Sequence, residues 1–408
     1  MTGMTKSKFV AVLALFVLSP WACAERESPG DRSLREVRAA ALEELKSSGT
    51  PSLQIAIGKG RDIVYQGAFG LAGVENEVVA SVHSKYRTSS VAKWFTAAAA
   101  MRLTESGQLD LDAPTQRYCP QFPDHSPAIT SRQLLTHTAG IRHYRDYEAE
   151  IQAAKSLEER AVLERQAMQA DLGTYARHTD VITPLESFKD DPLLFAPGEG
   201  WEYSSFGYRL LACVLQGAAG ESYMHLMQRL VFMPANMPNT LPDDAWALIP
   251  HRVTGYQLNQ DGLRRADFRD VSENLPAGGY LSTASDLVRF ALAFDDGLVS
   301  EGAVALMSSP VAAELDLGES SWRDAIPQAD KYGYGMMLFS KYSDGMIGHT
   351  GRQAGASSIV VLIPETDTAI AVMSNAKGWN GYLRFTMKLK AIVDQHIPST
   401  HASASSEN

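Results

Sequence analysis

The chain has 408 residues, 45% of them apolar and 21% charged, with 37 Lys+Arg against 47 Asp+Glu and 3 Cys. That composition excludes a disordered chain, a collagen-like repeat and a disulfide scaffold, and at about 150 residues per domain it gives two or three domain-sized units. The net charge of -10 argues against a nucleic-acid binder and against docking on anionic lipid, since both need a basic surface.

Residues 1–24 read as a secretory signal. Lys6 and Lys8 precede the apolar run Phe9–Leu18, which is too short to cross a bilayer as a helix. Ala22-Cys23-Ala24 sets small residues before Glu25. A lipid-modified Cys23 is less favoured, because Pro20-Trp21-Ala22 fits that signal poorly. Export predicts a periplasmic or secreted chain, and no later apolar run is long enough to span a membrane.

A helix follows over Asp31–Ser47, with Leu34, Val37, Ala41 and Leu45 at helical spacing and Gly49 and Pro51 as its stop. Ser52–Ile57 and Ile63–Phe69 flank the turn Gly58-Lys59-Gly60-Arg61 and predict a hairpin. The Ala-rich run Val91–Ser106 predicts a helix. Glu148–Ala176 favours helix and reads as a solvated excursion, or as a lid or assembly element. An apolar helix starts near Tyr208. It carries Cys213, which reads as a buried free thiol rather than as half of a bridge to Cys119.

Strand signals return late. Gly335–Ser340 and Met346–His349 flank Ser343-Asp344-Gly345, and Ser358–Ile363 and Thr368–Ser374 flank Pro364-Glu365-Thr366-Asp367. A last helix runs from about Asn380 to His396, and the small, polar tail 399–408 is expected to be disordered. Strand-forming text at both chain ends predicts an α/β fold: one antiparallel sheet built from both ends and flanked by the terminal helices, with a mostly helical domain inserted. The α/β part is expected over residues 31–85 and 330–398, and the insertion over 86–329.

Three segments carry chemistry. In Ser90-Val91-Ala92-Lys93 the Ser and Lys side chains share one helix face at i and i+3. A Ser hydroxyl needs a nearby base to become a nucleophile, and a Lys in a dry pocket loses its proton near neutral pH. Tyr203-Ser204-Ser205 follows a Pro197-Gly198 turn, which suits a phenol aimed into a cleft as base or proton shuttle; the plainer role is a core anchor, which suits Tyr208 better. Gly348–Gly355 joins one strand to the next, and its glycines let backbone approach a substrate closely. Its strand edge suits an extended acyl or peptide chain, and an N–H just after Gly351 suits an oxyanion hole with that of Ser90.

In this order, Ser90-Val91-Ala92-Lys93, Tyr203-Ser204-Ser205 and His349-Thr350-Gly351 resemble the three motifs of the penicillin-recognising serine hydrolases. The likeness is greatest to the class C β-lactamase-related group, whose LLTHTSG segment is similar to Leu134–Gly140. It spans roughly residues 35–395 and implies an α/β domain with an inserted helical domain. By position it implies Ser90 as the acylated nucleophile, Lys93 as its proton relay, and Tyr203 as base and then acid. The backbone N–H groups of Ser90 and Arg352 would form the oxyanion hole, and Ser205, His349, Thr350 and Gly351 would line the substrate side.

Two positions depart from that pattern. Ser205 stands where Asn is usual, with a shorter reach and one donor fewer. His349 replaces the usual Lys and removes a permanent cation, which the adjacent Arg352 is placed to restore. The expected function is therefore an exported serine hydrolase working through an acyl-enzyme, first of all a peptidase or amidohydrolase. A β-lactamase or short-chain esterase is the alternative within enzymes, and a non-catalytic peptidoglycan-binding or assembly module is the alternative outside them. The expected partner is a peptide, ester or β-lactam substrate, with self-association open. No cofactor is implied and no metal: His-Glu-x-x-His does not occur and the ten His are scattered.

Overall fold

The computed structural model describes residues 32–311, 329 and 331–396. The secretory segment 1–24, Cys23, Asp31 and the tail 399–408 lie outside the described residues.

In chain order the first elements are α1 (Arg32–Ser48), β1 (Ser52–Lys59), β2 (Asp62–Gly73), β3 (Val78–Val79) and β4 (Tyr86–Arg87). The helical stretch holds α2 (Ala92–Glu105), α3 (Ser131–Leu135), α4 (Tyr147–Ala153), α5 (Leu157–Gly173), α6 (Ser205–Ala219) and α7 (Tyr223–Met227). Then come β5 (Leu241–Pro242), β6 (Tyr256–Asn259), β7 (Gly262–Arg265), α8 (Leu275–Gly278), β8 (Tyr280–Ser282), α9 (Ala284–Ala293) and α10 (Glu301–Met307). The chain closes with β9 (Lys331–Tyr332), β10 (Met337–Leu338), β11 (Ile347–Gln353), β12 (Ala356–Ile363), β13 (Thr368–Ser374), β14 (Ala376–Lys377) and α11 (Tyr382–His396).

The main sheet has eight strands in the order β3-β2-β1-β13-β12-β11-β10-β9. Its pairs are antiparallel throughout, and β1 from the chain start lies beside β13 from the chain end, with Ile55 opposite Val372. The expected α/β architecture is the one observed.

Every residue of β12 is buried, because both sheet faces are covered. Side chains alternate across a strand, so Ile359, Val361 and Ile363 join one core with Val37 and Ala41 of α1 and Leu383, Phe385 and Leu389 of α11. Val360 and Leu362 join the other core, with Trp94 of α2 and Leu287 of α9. Each such aliphatic side chain contributes about 1.5–3 kcal/mol when fully buried. Gly58 on β1 lets α9 seat directly on the sheet: a Cβ there would lie 2.6 Å from both Leu292 and Val288.

Several local readings are corrected. The strand expected at Gly335–Ser340 pairs only at Met337–Leu338. Gly335 turns away at φ +75 and packs against α2, where a Cβ would lie 2.3 Å from that of Ala97. The connection expected over Gly348–Gly355 is mostly strand: β11 runs on to Gln353, and only Ala354 and Gly355 separate it from β12. Helix α6 starts at Ser205, not Tyr208, because the Ser204 hydroxyl caps it by accepting the Gly207 N–H at 2.9 Å. Cys119 and Cys213 are joined as a disulfide. Helix α6 brings their Cα atoms to 5.5 Å, inside bonding range, a distance that sequence spacing does not encode. Within Glu148–Ala176, helices α4 and α5 are largely solvated, and α5 buries only Leu163.

Candidate active site

The three motif segments meet along the seam between the sheet and the helical stretch. Ser90 lies in a single 3-10 turn, Ser89–Val91, at the mouth of α2. Ser89 is held at φ +48, a left-handed conformation that non-glycine residues adopt only where the surroundings impose it. The surroundings are tight. A Cβ on Gly351 of β11 would lie 2.5 Å from Thr88 O and 2.7 Å from Ser89 Cβ, so only glycine lets this strand run past the turn. Ser358 Oγ on β12 donates to Thr88 O at 2.6 Å and fixes the other side.

Lys93 is wholly buried one turn along α2. Its Nζ lies 3.3 Å from Ser90 Oγ, 3.0 Å from Ser205 Oγ and 3.2 Å from the Ala277 carbonyl of α8; with the amine neutral, its two N–H groups serve Ser205 and Ala277 and its lone pair faces the Ser90 hydroxyl. Burial holds its pKa well below the usual lysine value, and the Arg209 charge lowers it further. The Tyr203 ring lies 4.6 Å from Nζ. Burial raises the Tyr203 phenol above its ordinary pKa, while hydrogen bonding with Ser90 opposes the rise. The phenol is therefore neutral at rest.

On β11 the His349 side chain turns inward and is fully buried. A carbonyl only accepts, so His349 Nδ1 donates to Thr350 O at 2.6 Å, which leaves Nε2 to accept from the Tyr332 hydroxyl at 3.3 Å. Burial first, and the Lys93 charge second, pull its pKa down to about 3. Thr350 Oγ1 meets Met337 Sδ at 3.5 Å. Arg352 is exposed and donates to Asn380 Oδ1 at 3.1 Å. β10 covers the outer edge of β11 only at Ile347 and Gly348, so from His349 to Gln353 that edge has no strand partner among the described residues.

All of the expected site residues thus lie in one neighbourhood, with Ser205 doing something other than expected: its hydroxyl is taken by Lys93. Sequence reading left four participants without a role. His137 Nδ1 accepts the Ser204 N–H and His143 Nδ1 accepts the Ser205 N–H, each at 3.1 Å. Arg209, with 2% of its side chain exposed, pairs with Glu273 at 2.9 Å and lies 4.5 Å from the Phe206 ring centroid. The signals available in the sequence are the Leu134–Gly140 segment, which holds His137, and an Arg at i+4 from Ser205 inside an otherwise apolar helix.

Among the described residues, no group of three or more His, Cys, Asp or Glu is placed to hold a metal ion. Nor is any helix there long and apolar enough to cross a membrane.

An antiparallel sheet built from both chain ends and covered by helices is the fold of penicillin-binding and β-lactamase-like structures. The chain belongs to the β-lactamase family of serine hydrolases, whose profile matches residues 37–395. It is similar to the mitochondrial serine beta-lactamase-like protein LACTB of Homo sapiens, with 27% identity covering 85% of this chain and 76% of that one. Among solved structures it is similar to the octameric penicillin-binding protein homologue from Pyrococcus abyssi, at a TM-score of 0.69 and 22% identity over 88% of this chain and 77% of the other. A D-amino acid amidase from Ochrobactrum anthropi SV3, complexed with L-phenylalanine, gives a TM-score of 0.68 at 19% identity over 88% and 99%. These two structural likenesses concern the fold alone.

Proposed function

We propose that this protein is an exported serine hydrolase that works through an acyl-enzyme on Ser90 and cleaves amide bonds as a peptidase or amidohydrolase. The observation that carries the reading is the buried Lys93 amine, 3.3 Å from the Ser90 hydroxyl. A lysine held neutral is a base at rest; a phenol held neutral is a proton shuttle. Ser90 Oγ attacks the substrate carbonyl carbon as its proton passes toward Lys93, directly or through Tyr203. The carbonyl π electrons move onto oxygen, which the N–H groups of Ser90 and Arg352 stabilise. Collapse breaks the C–N bond, and Tyr203 protonates the departing amine. Water then attacks the acyl carbon by the same route and frees Ser90.

The substrate lies along the unpaired edge of β11, beside Thr350 and Gly351. With His349 neutral and turned inward, the cation on that strand is Arg352, next to Asn380. A substrate carboxylate is read there. Esters meet the same nucleophile and need no such cation, so a short-chain esterase is the second reading. Export rests on residues 1–24.

Purified protein and Ser90→Ala are to be compared for labelling by a fluorescent penicillin, and for turnover of a D-amino acid amide, a p-nitrophenyl ester and nitrocefin. The reading expects labelling and turnover in the wild type alone, with the amide among the substrates. Equal labelling of both proteins removes Ser90 as the nucleophile. A silent wild type that still binds peptidoglycan fragments makes it a binding module instead.

A further inference from the structure

We propose that His137 and His143 form a two-imidazole clamp that fixes Tyr203 against Ser90 by accepting the consecutive backbone N–H groups of Ser204 and Ser205. The proposal rests on the reading of Tyr203 as proton shuttle, and it concerns positioning rather than bond making.

The need arises from the start of α6. The first N–H groups of a helix lack partners within it. Ser204 supplies one acceptor, its hydroxyl, to Gly207. The N–H groups of Ser204 and Ser205 themselves point back toward the segment after α3, and each meets an imidazole Nδ1 at 3.1 Å. That segment is tied down alongside: Glu202 N–H donates to His137 O at 2.9 Å, and Ser204 Oγ donates to Arg142 O at 2.7 Å. His137 takes φ +62, a left-handed conformation that surrounding contacts must enforce.

The same two rings flank the phenol. His137 lies 4.5 Å from the Tyr203 ring centroid, and His143 lies 5.5 Å away at 88°. Tyr203 is therefore held through the backbone on its C-terminal side and through its ring by the same pair of residues.

An acceptor Nδ1 requires a neutral ring with its proton on Nε2. The surroundings enforce that form. Lys93 on α2, Arg209 on α6, Arg142 beside the rings and His349 on β11 are all cationic or potential cations, and they oppose protonation in addition to burial. Tyr203, Tyr208 and Tyr332 supply the remaining wall and are neutral. The His143 pKa falls to about 3. His137 Nε2 is buried without a hydrogen-bond partner among the described residues, so the Nδ1 contact is the hydrogen bond that orients the ring within its aromatic wall.

The test uses His143→Leu, which keeps bulk and loses the acceptor, and His143→Asn, whose amide oxygen reaches the Nδ1 position. Labelling of Ser90 by a fluorophosphonate is followed with thermal melting of each variant. The clamp predicts about a tenfold or greater fall in labelling rate for Leu and recovery to within about threefold for Asn, with kcat falling more than KM rises for any substrate found. Equal rates for the two variants overturn it. A second readout stands apart from the chemistry: isotope-labelled histidine, observed by nuclear magnetic resonance in the wild type, should show both rings neutral with the proton on Nε2 near pH 7. A cationic ring or a proton on Nδ1 there overturns the clamp even if Ser90 proves reactive, whereas an unreactive Ser90 with both tautomers as expected removes only the hydrolase reading.

Discussion

The sheet interior and the seam beside it are equally dry, yet burial does opposite work in the two. In β12 and β13 every residue is buried, and Ile359, Val360, Ile370 and Val372 gain from leaving water. At the seam Lys93, His349 and Arg209 are just as deep, and a buried charge costs several kcal/mol unless it is neutralised or paired. Arg209 is paired with Glu273, while Lys93 and His349 are pushed toward their neutral forms. The sheet stabilises the fold; the seam uses part of that stability to hold an amine, a phenol and imidazoles in proton states that water would not give them.

Lys93→Met tests that contrast most strongly. It keeps bulk and removes the buried amine, so Ser90 reactivity should fall by about a thousandfold or more while thermal stability stays level or rises. Parallel loss of both would place Lys93 in the structural category. Ile359→Ala is the converse. It should cost about 2–5 kcal/mol of unfolding free energy in urea titrations and leave the labelling rate of the folded fraction unchanged.

Acid titration gives a middle-sized effect. His349 has an ordinary pKa of 6.5 and a folded pKa of about 3, so below about pH 6.5 the unfolded chain binds a proton that the folded chain refuses. Stability should therefore fall as pH drops from about 6.5 toward 3, and His349→Leu should flatten that slope. Lys93 acts at the alkaline end. Its folded pKa lies below 10.5, so stability should rise with pH up to about 10.5, and Lys93→Met should lack the rise. Tyr208→Phe is the mildest change. Its hydroxyl donates to the Leu135 carbonyl at 3.1 Å, so the loss should be about 1 kcal/mol, with Ser90 labelling within about threefold of wild type.

The same contrast governs what the sequence disclosed. Strands β1, β12 and β13 are rich in aliphatic residues and lie between turn residues, and they were readable because burial on both faces favours that composition. β9 and β10 hold two residues each, too few for any period. At the seam, Ser90 and Lys93 were legible because one helix turn sets their geometry locally. The pairings of His137 with Ser204 and of His143 with Ser205 span 67 and 62 positions, and nothing local encodes them. The start of α6 was placed at Tyr208 because apolar periodicity begins there, whereas the cap that starts the helix is the Ser204 hydroxyl four residues earlier. Cys119 and Cys213, 94 positions apart, meet for the same non-local reason.

Mapping the site of covalent modification weighs most directly on the central claim that burial of Lys93 makes Ser90 a nucleophile. The full chain is treated with a fluorophosphonate near neutral pH, digested and sequenced by mass spectrometry, beside Lys93→Met. The account predicts the adduct on the Ser90 peptide in the wild type and near-absence of it in the variant. An adduct on another residue, or a Ser90 adduct formed equally fast without the lysine, would contradict it.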